Sequence, residues 1–468
     1  MRSKLSFLVI LSALLGFSTG CPSDSDDPPA DDGGVAGAGG EGSASGEGGQ
    51  SGEGGAAGTH TSGSGGEGGS GGTGGTGGTG GVPTIEGRTT GEKIDLLFMV
   101  DNSNTMREEQ AALREQFPRL IQRLLAGVDL DGDGTLEYQG ARDVHLGVVS
   151  SDLGLPGIPN VPGCMNLGDE GLLNNVASPE ITGCSQQFFN PPFLSYVQGT
   201  SDIDQTATDF ACLATVGTEG CGFEQQLESA LKAVWPGDDQ NVTFVTDPQG
   251  FGATGNAGPG FPNGDFIRND PNDLSLVAIV LVTDEEDCSS RRMDHFQLDP
   301  SGPLAMQGLN LRCYYESLKP DGGNIFSTER YTQLFKMLRP GSEQLVIFGA
   351  IVGVPPELVT PEQLAMIDYE NPAAVDSFYD GILAHPMMQY AIDDRETPEE
   401  PQDDSLRVSC TGGPEGQSAR AYPPRRIVQV AKSFGRNGFV QSICEDDFVP
   451  AIDLIVTRIA EAFVPVVE

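Results

Sequence analysis

The chain has 468 residues, and its 67 acidic side chains against 26 basic ones give a formal net charge of −41 at pH 7. Nucleic-acid binding depends on clustered basic charge that neutralises phosphates, so this balance excludes a nucleic-acid partner. Divalent cations are the ligands that such a charge favours.

The first 20 residues have the pattern of an export signal. Arg2 and Lys4 precede an apolar run at residues 5–17, which is too short to span a membrane comfortably. Cys21 follows directly, where bacterial lipoproteins carry the lipidated first residue of the mature chain. We therefore expect a lipid anchor at Cys21 and a place in the bacterial cell envelope, in the outer membrane or at the cell surface. The alternative is cleavage by the ordinary signal peptidase and free secretion.

Residues 21–88 are predicted to form a disordered tether. The stretch 22–82 has 26 glycines in 61 residues, together with many Ser, Thr and acidic residues. It cannot bury enough apolar surface to fold. Such a tether would hold the predicted folded domain, residues 89–468, away from the membrane.

The chain has nine cysteines, and eight remain when Cys21 is set aside. An even number in an exported chain favours disulfides. These eight are Cys164, Cys184, Cys212, Cys221, Cys288, Cys313, Cys410 and Cys444. Their connectivity cannot be deduced from the sequence; the simplest hypothesis pairs neighbours, 164 with 184, 212 with 221, 288 with 313 and 410 with 444. Zinc binding is disfavoured, since the chain has no Cys-x-x-Cys and only four histidines.

An almost wholly apolar run at residues 94–100 predicts a strand buried on both faces of a parallel sheet. It ends in oxygen-bearing side chains at alternate positions, Asp101, Ser103 and Thr105. Sheets of α/β proteins place their sites at this end of a strand, and one carboxylate with two hydroxyls suits Mg²⁺, Mn²⁺ or Ca²⁺. The alternative is that Thr105 and Glu108 form a capping box at the start of the next helix.

A pattern typical of a calcium loop follows this helix. Residues able to bind calcium stand at positions 1, 3, 5, 7 and 9 of an EF-hand loop, with glycine at position 6; they are Asp129, Asp131, Asp133, Thr135 and Glu137. Position 12 is Gly140 in place of the bidentate glutamate. We therefore expect a calcium-ordered surface loop, with an unliganded acidic turn as the alternative. Asp131 and Asp133 also fit the nucleophile motif of haloacid-dehalogenase-like phosphatases, but the residues before them predict a helix where that motif needs a buried strand.

The remaining apolar segments alternate between strands and helices. Strands are predicted at residues 143–151, 276–284, 343–354 and 438–443, and helices at residues 109–125, 223–235, 327–338, 425–434 and 448–464. Long insertions are predicted at residues 152–208, 236–273 and 355–424. The alternation predicts an α/β fold with a doubly wound, mostly parallel sheet flanked by helices and disulfide-held loop insertions.

The strand at residues 276–284 is again apolar and again ends in an acid, Asp284, which three further acids follow. Two buried strands that end in carboxylates strengthen the metal-site interpretation. A metal-dependent hydrolase of phosphate or sulfate esters would use the same carboxylates. However, no His or Lys in these motifs offers a general base, and the chain has no Gly-x-Ser-x-Gly elbow for a serine nucleophile.

The two strand-end motifs together resemble the von Willebrand factor A domain family, over roughly residues 92–467 with long insertions. Its metal-ion-dependent adhesion site has the pattern Asp-x-Ser-x-Ser, a threonine in a later loop and an aspartate after the fourth strand. The matching residues here are Asp101, Ser103, Thr105, Thr218 and Asp284. Thr105 replaces the second serine and keeps its hydroxyl. Thr218 is preferred to the nearby Thr215 because it lies just before the helix predicted at residues 223–235.

The resemblance implies a Mg²⁺ or Mn²⁺ ion at these five residues, with an open coordination position for a carboxylate of a partner. We therefore expect an envelope-anchored binding or adhesion protein that uses a divalent cation to bind an extracytoplasmic protein or polymer, with Ca²⁺ at residues 129–137. Catalysis is not expected. A structural envelope protein whose ions only stabilise loops is the alternative.

Overall fold

The computed structural model describes residues 93–463, except for residues 130–131, 137, 162, 300, 303, 305–306, 395–403 and 413–418. The predicted signal peptide, the lipidated Cys21 and the tether lie outside the described residues. Within the described part of the chain, no helix combines the length and apolar character that crossing a membrane requires.

The described residues form ten strands and nine α-helices. The strands are β1 (Lys93–Val100), β2 (Asp143–Ser150), β3 (Leu194–Val197), β4 (Leu276–Val282), β5 (Val346–Val352), β6 (Ile392–Asp393), β7 (Ser405–Leu406), β8 (Cys410–Gly412), β9 (Ala419–Ala421) and β10 (Gly438–Ser442). The helices are α1 (Arg107–Ala126), α2 (Ile203–Ala214), α3 (Gln226–Val234), α4 (Arg312–Ser317), α5 (Thr328–Lys336), α6 (Pro361–Ala365), α7 (Pro372–Ala384), α8 (Arg425–Ser433) and α9 (Val449–Phe463). Short 3₁₀ turns lie at Asp294–Phe296, Leu309–Leu311, Pro320–Gly322, Glu343–Leu345, Pro356–Leu358, Pro386–Met388 and Gly435–Asn437.

Six strands form one sheet in the order β3-β2-β1-β4-β5-β10. Neighbouring strands are parallel except at one edge, where β3 pairs antiparallel with β2. Two small antiparallel ladders, β6 with β7 and β8 with β9, lie within the insertion before α8. The strand order reverses between β1 and β4, and this reversal is where open α/β sheets form a binding crevice.

Side chains of β1 alternate between two apolar cores, one on each face of the sheet. Phe98 packs in the core that includes side chains of α1, α2 and α9. Met99 packs in the other core, with side chains of α3, α5, α7 and α8. Residues 94–100 are all buried, as expected for a central parallel strand covered by helices on both faces. The prediction of a mostly parallel sheet flanked by helices is therefore confirmed.

The predicted insertions contain more regular structure than expected. Residues 152–208 include the edge strand β3 and the start of α2, and residues 355–424 include α6 and α7. Helix α3 begins at Gln226 rather than at residue 223. The reason is that the Gln225 amide donates to the Ser151 carbonyl (3.1 Å), which ties the preceding turn to the end of β2.

All eight predicted disulfide cysteines are paired, but two of the four neighbour pairings are wrong. The bridges are Cys164–Cys221, Cys184–Cys212, Cys288–Cys313 and Cys410–Cys444, with Cα–Cα distances of 4.3, 6.2, 5.6 and 6.2 Å. The Cys184 loop folds onto α2, where the Ser185 amide donates to Asp209 (2.7 Å), and this places Cys184 against Cys212. Tertiary folding, rather than closeness in sequence, decides these two pairs.

Two of the bridges form a small apolar core under the loops at the carboxyl ends of β1 and β4. Cys164–Cys221 and Cys288–Cys313 pack there with Leu155, Val161, Met293 and Phe296. Cys221 follows the loop of Thr218, and Cys288 follows the loop of Asp284. Both loops are therefore covalently fixed close to the residues that the sequence analysis singled out.

A cluster of buried charges lies at the opposite end of β1. The Asp95 carboxylate is fully buried and accepts hydrogen bonds from the Arg268 backbone amide (2.9 Å) and Nε (2.7 Å). Arg268 also pairs with Asp143 on β2 (2.7 Å), and the fully buried Arg339 donates to the Ser275 carbonyl before β4 (2.8 Å). These contacts bind the amino ends of three adjacent strands to one another, so their role is structural.

Replacing Arg268 by Met should lower the free energy of unfolding by about 3 kcal/mol, because Asp95 would remain buried with its main cationic partner removed. Denaturant unfolding followed by circular dichroism measures this change. Arg114→Met is the control: its pair with Glu180 (2.9 Å) is solvent-exposed, and its loss should change stability by less than about 1 kcal/mol. Equal effects of the two substitutions would contradict this account.

Candidate metal centre

The carboxyl ends of three adjacent strands emerge together because of the register of the sheet. Val100 of β1 lies opposite Ser150 of β2 and Val282 of β4. The next residue on each strand is therefore Asp101, Ser151 or Thr283. These three residues are the first residues of the candidate site.

The Asp101 carboxylate is fully buried and connects these three strand ends. One oxygen accepts from the Ser103 amide (2.8 Å) and the Ser151 hydroxyl (3.1 Å), and the other accepts from the Thr283 hydroxyl (2.6 Å). Burial raises the pKa of Asp101, while these donors act in the opposite direction by favouring the charged form. Each carboxylate oxygen can accept more than one contact, so Asp101 can be held by the protein and still bind a cation.

The hydroxyls of Ser103 and Thr105 face each other at 3.1 Å. Helix α1 begins after Met106, and no side chain caps its amino end. The capping box suggested for Thr105 and Glu108 is therefore not formed, and the Thr105 hydroxyl remains directed at Ser103. This arrangement favours the site interpretation of Thr105 over the structural one.

Asp284 is buried to 1% exposure, and neither of its carboxylate oxygens accepts a regular hydrogen bond from the described residues; the Thr105 hydroxyl is close enough to favour the charged form but does not reach regular hydrogen-bond geometry. Burial raises its pKa well above the usual value, and the nearby charges of Asp101 and Glu109 raise it further. The Thr105 hydroxyl acts in the opposite direction. A buried carboxylate without partners is costly, and a cation bound beside it would remove most of that cost.

Thr218 lines the pocket that also contains Ser103 and Thr105. The hydroxyl of the competing residue, Thr215, donates to the Ala211 carbonyl at the end of α2 (3.1 Å), and Thr215 does not line this pocket. Thr218, rather than Thr215, therefore shares this pocket with the hydroxyl pair.

Gln110 positions the site and was missed in the sequence. Its side-chain amide donates to the Asp101 carbonyl and to the Gly217 carbonyl, both at 2.8 Å. It therefore joins the strand-end loop to the loop of Thr218. A glutamine on a predicted amphipathic helix gives no signal of this role.

Three further acids near the site were also missed. Burial raises the pKa of Glu109 to about 7, and burial raises that of Asp152 to about 6; the charge of Asp101 adds to both shifts. Asp152 accepts from the amides of Gly154 (2.7 Å) and Cys221 (3.2 Å) and so holds the Thr218 loop. Glu224 is buried and lines the pocket. Glu109 lies on α1, Asp152 follows β2 and Glu224 precedes α3. No motif connects these three segments in sequence.

The four consecutive acids after β4 have different roles. Asp287 is buried and pairs with Arg426 (2.9 Å), and it also accepts from the Ser289 hydroxyl (2.6 Å), so it holds the loop against α8. Burial raises the pKa of Glu286 to about 7, while Tyr390 and Arg426 partly offset the shift. Glu285 lines the pocket together with Glu224. Among the described residues, Asp287 is the only one of these four acids with an ion pair, and both oxygens of Asp284 and one oxygen of Glu286 are buried without a regular hydrogen bond.

The pocket has a volume of about 650 Å³. Its lining includes the strand-end residues Ser103 and Thr105, Leu309 and Asn310 from the segment after β4, and Leu406 and Tyr422 from the insertion at residues 355–424. Among the described residues, Arg107 is the one basic side chain that lines it. The lining is therefore acidic and partly apolar.

The predicted calcium loop is exposed and only partly described. The Asp129 carboxylate accepts from the amides of Gly132 (2.6 Å) and Gly134 (2.8 Å), and Asp133 accepts from the Thr135 amide (2.7 Å). Asp131 and Glu137 lie outside the described residues. The calcium loop stays a prediction.

Cys288, His295 and Cys313 form a buried group whose sulfur and nitrogen atoms lie within 4.8 Å of one another. The two sulfurs are joined in a disulfide, which leaves neither as a thiolate ligand. Burial lowers the pKa of His295 to about 4, so it is neutral in the small apolar core. We interpret this group as part of that core.

Asp284→Asn should stabilise the protein in a chelating buffer at pH 7.5 by about 1 kcal/mol, because it removes an uncompensated buried charge. The control is Asp287→Asn in the same loop, which should destabilise by about 3 kcal/mol because it leaves Arg426 buried without its partner. Thermal unfolding of both variants with EDTA measures the two changes. A loss of stability in Asp284→Asn would show that its carboxylate is satisfied within the protein.

No family model and no curated protein matches the chain. Among solved structures, the crystal structure of the human COPII-coat protein Sec24c is similar over 62% of this chain and 33% of that chain, at 8% sequence identity and a TM-score of 0.22. The chain thus spans about a third of the length of that protein. A similarity at this TM-score supports no conclusion about fold family or function.

Proposed function

We propose that this protein is a binding protein of the von Willebrand A type, which binds its partner through a divalent cation. The observation that carries the proposal is the Asp284 carboxylate, which is buried without an ion pair or a regular hydrogen bond among the described residues and lies close to the Thr105 hydroxyl, which in turn faces Ser103. Oxygen ligands of this kind suit Mg²⁺ or Mn²⁺.

Asp101, Ser103, Thr105, Thr218 and Asp284 would hold the cation. Three features support this set: the strand ends emerge side by side, the two hydroxyls face each other, and Thr218 lines the same pocket. When bound, the cation would supply positive charge and an open coordination position for a carboxylate of the partner. The protein's own contribution is to fix the ligands before binding, through the Asp101 hydrogen bonds and the Gln110 bridge.

The partner in this proposal is an extracytoplasmic protein or polymer that carries a carboxylate. The proposed lipid at Cys21 would anchor the chain to the cell envelope, and residues 21–88 would present the domain at a distance from the membrane. Ca²⁺ at residues 129–137 would order a surface loop away from the binding event. The acidic chain argues against a nucleic-acid partner.

Catalysis is not part of the proposal. Among the described residues that line the pocket, none is a His or Lys that could act as a general base beside the carboxylates. A purely structural role would give no reason to keep Asp284, because a carboxylate buried without an ion pair lowers the stability of the protein. The pocket therefore favours binding over both alternatives.

Calorimetric titration of Mg²⁺, Mn²⁺ and Ca²⁺ into the mature chain tests the proposed site. Asp101→Ala should abolish one binding event and Asp133→Asn should weaken a different one, because the two acids lie in separate loops. Pull-down of envelope proteins with and without EDTA would then identify cation-dependent partners. Unchanged cation binding in a folded Asp101→Ala variant would refute the adhesion-site proposal.

The Thr105 hydroxyl gives a second, local test. Thr105→Val should weaken Mn²⁺ binding at least about tenfold, whereas Thr105→Ser should keep it within about threefold, because serine retains the ligand oxygen. Both variants should unfold at the wild-type temperature in EDTA, since Thr105 does not cap α1. A Val variant that is destabilised in EDTA but binds Mn²⁺ normally would mean that Thr105 is structural.

A further inference from the structure

Four glutamates of the described chain line the pocket. Glu219 is exposed and Glu286 lies near Tyr390 and Arg426, so Glu224 and Glu285 are the two left over when the proposed adhesion-site cation is assigned its five ligands. Glu224 and Glu285 both line the pocket, which they share with Ser103, Thr105 and Thr218. Five protein ligands and one position for the partner complete an octahedral ion. If either glutamate joined this ion, it would take the position that the partner needs.

Glu224 is only 5% exposed, and its carboxylate makes no hydrogen bond or ion pair with another described residue. Its backbone carbonyl, in contrast, accepts from the Cys288 amide (2.9 Å), so the turn that carries it is fixed. The side chain is thus held in the pocket without a protein partner. A carboxylate so deeply buried is expected to have a counter-charge.

The charges around both glutamates are negative. The strongest charge influence on Glu285 is Glu224, followed by Asp284 and Asp101. The strongest on Glu224 is Asp101, followed by Asp284 and Asp152. No basic group is among the main influences on either residue.

The nearby basic side chains have other partners or positions. Arg426 pairs with Asp287, and Arg425 donates to the carbonyls of Leu383 and Met388. Arg107 lies at the pocket lining but is exposed. No basic group of the described chain pairs with Glu224 or Glu285, and burial therefore raises the pKa of both carboxyls; a cation from outside would supply the missing counter-charge.

We propose that the pocket binds a second divalent cation, held by Glu224 and Glu285 beside the adhesion-site cation. This inference rests on the proposed function, since it takes Asp101 and Asp284 as ligands of the first ion. Two divalent ions balance the charges of Asp101, Asp284, Glu224 and Glu285, whereas one ion would leave two carboxylates without a counter-charge. Carboxylate ligands again suit Mg²⁺, Mn²⁺ or Ca²⁺.

The second ion has a functional consequence for the partner. An acidic group entering a pocket with two uncompensated carboxylates would be repelled, because like charges interact strongly where water is excluded. With both ions bound, the four negative charges of Asp101, Asp284, Glu224 and Glu285 are balanced. The second cation therefore acts as a condition for binding an anionic partner.

The test uses Mn²⁺ and the mature chain carrying Asp133→Asn, so that the surface loop does not contribute. Calorimetry and equilibrium dialysis should give two Mn²⁺ per chain in this background. The double variant Glu224→Gln/Glu285→Gln should bind one, with the wild-type unfolding temperature or a higher one in EDTA. Glu219→Gln is the matched control, because Glu219 lines the same pocket but is exposed, and it should still bind two.

Electron paramagnetic resonance gives a readout that stoichiometry alone does not. Two Mn²⁺ ions in one pocket should broaden each other's spectrum, and the double variant should show the sharp six-line signal of an isolated ion.

One ion in both the background chain and the double variant would overturn the second site and leave the proposed function standing. Loss of both ions in the double variant would also overturn it, by making a glutamate a ligand of the first ion. No Mn²⁺ binding to the background chain would refute the proposed function as well.

Discussion

The buried carboxylate of Asp101 is the group on which the carboxyl edge of the sheet depends. It accepts from side chains that follow β2 and β4 and from the backbone that follows β1. These contacts fix where each strand stops and where each loop begins. Burying a charge is unfavourable unless donors surround it, so the polar residues Ser151 and Thr283 are as necessary to this arrangement as the acid itself.

The same edge carries more negative charge than the protein compensates. Asp284 and Asp287 show the contrast within one loop, since Asp287 pairs with Arg426 while Asp284 has no partner among the described residues. In a fold selected for stability alone, we would expect Asp284 to be paired with a basic residue or replaced by an uncharged one. Sites that bind ligands often retain such unfavourable groups, and the remaining structure supplies the stability that they take away.

Disulfides near the carboxyl end of β1 and ion pairs at its amino end supply that stability. Cys164–Cys221 and Cys288–Cys313 hold the two site loops in one small apolar core. At the other end of the strand, Asp95, Arg268 and Arg339 join the amino ends of neighbouring strands. Leu309, from the segment after β4, and Leu406, from the insertion at residues 355–424, also line the pocket, so these segments are in position to select what reaches the carboxylates.

The sequence by itself determined the central strands and one half of the site. Apolar runs that end in acids identify β1 and β4, because a central parallel strand is buried on both faces and leaves its polar residues at the end. Thr105 could not be decided, since a hydroxyl before a helix suits a cap as well as a metal ligand. The tertiary structure ruled out the cap, because α1 begins without a side-chain cap and the Thr105 hydroxyl faces Ser103; the ligand role of Thr105 stays a prediction. Gln110, Asp152 and Glu224, and the bridges Cys164–Cys221 and Cys184–Cys212, were likewise decided by folding. These residues are distant in sequence and share no motif. Those at the site meet because parallel strands bring all their carboxyl ends to one edge of the sheet, and Cys184 meets Cys212 because its loop folds onto α2.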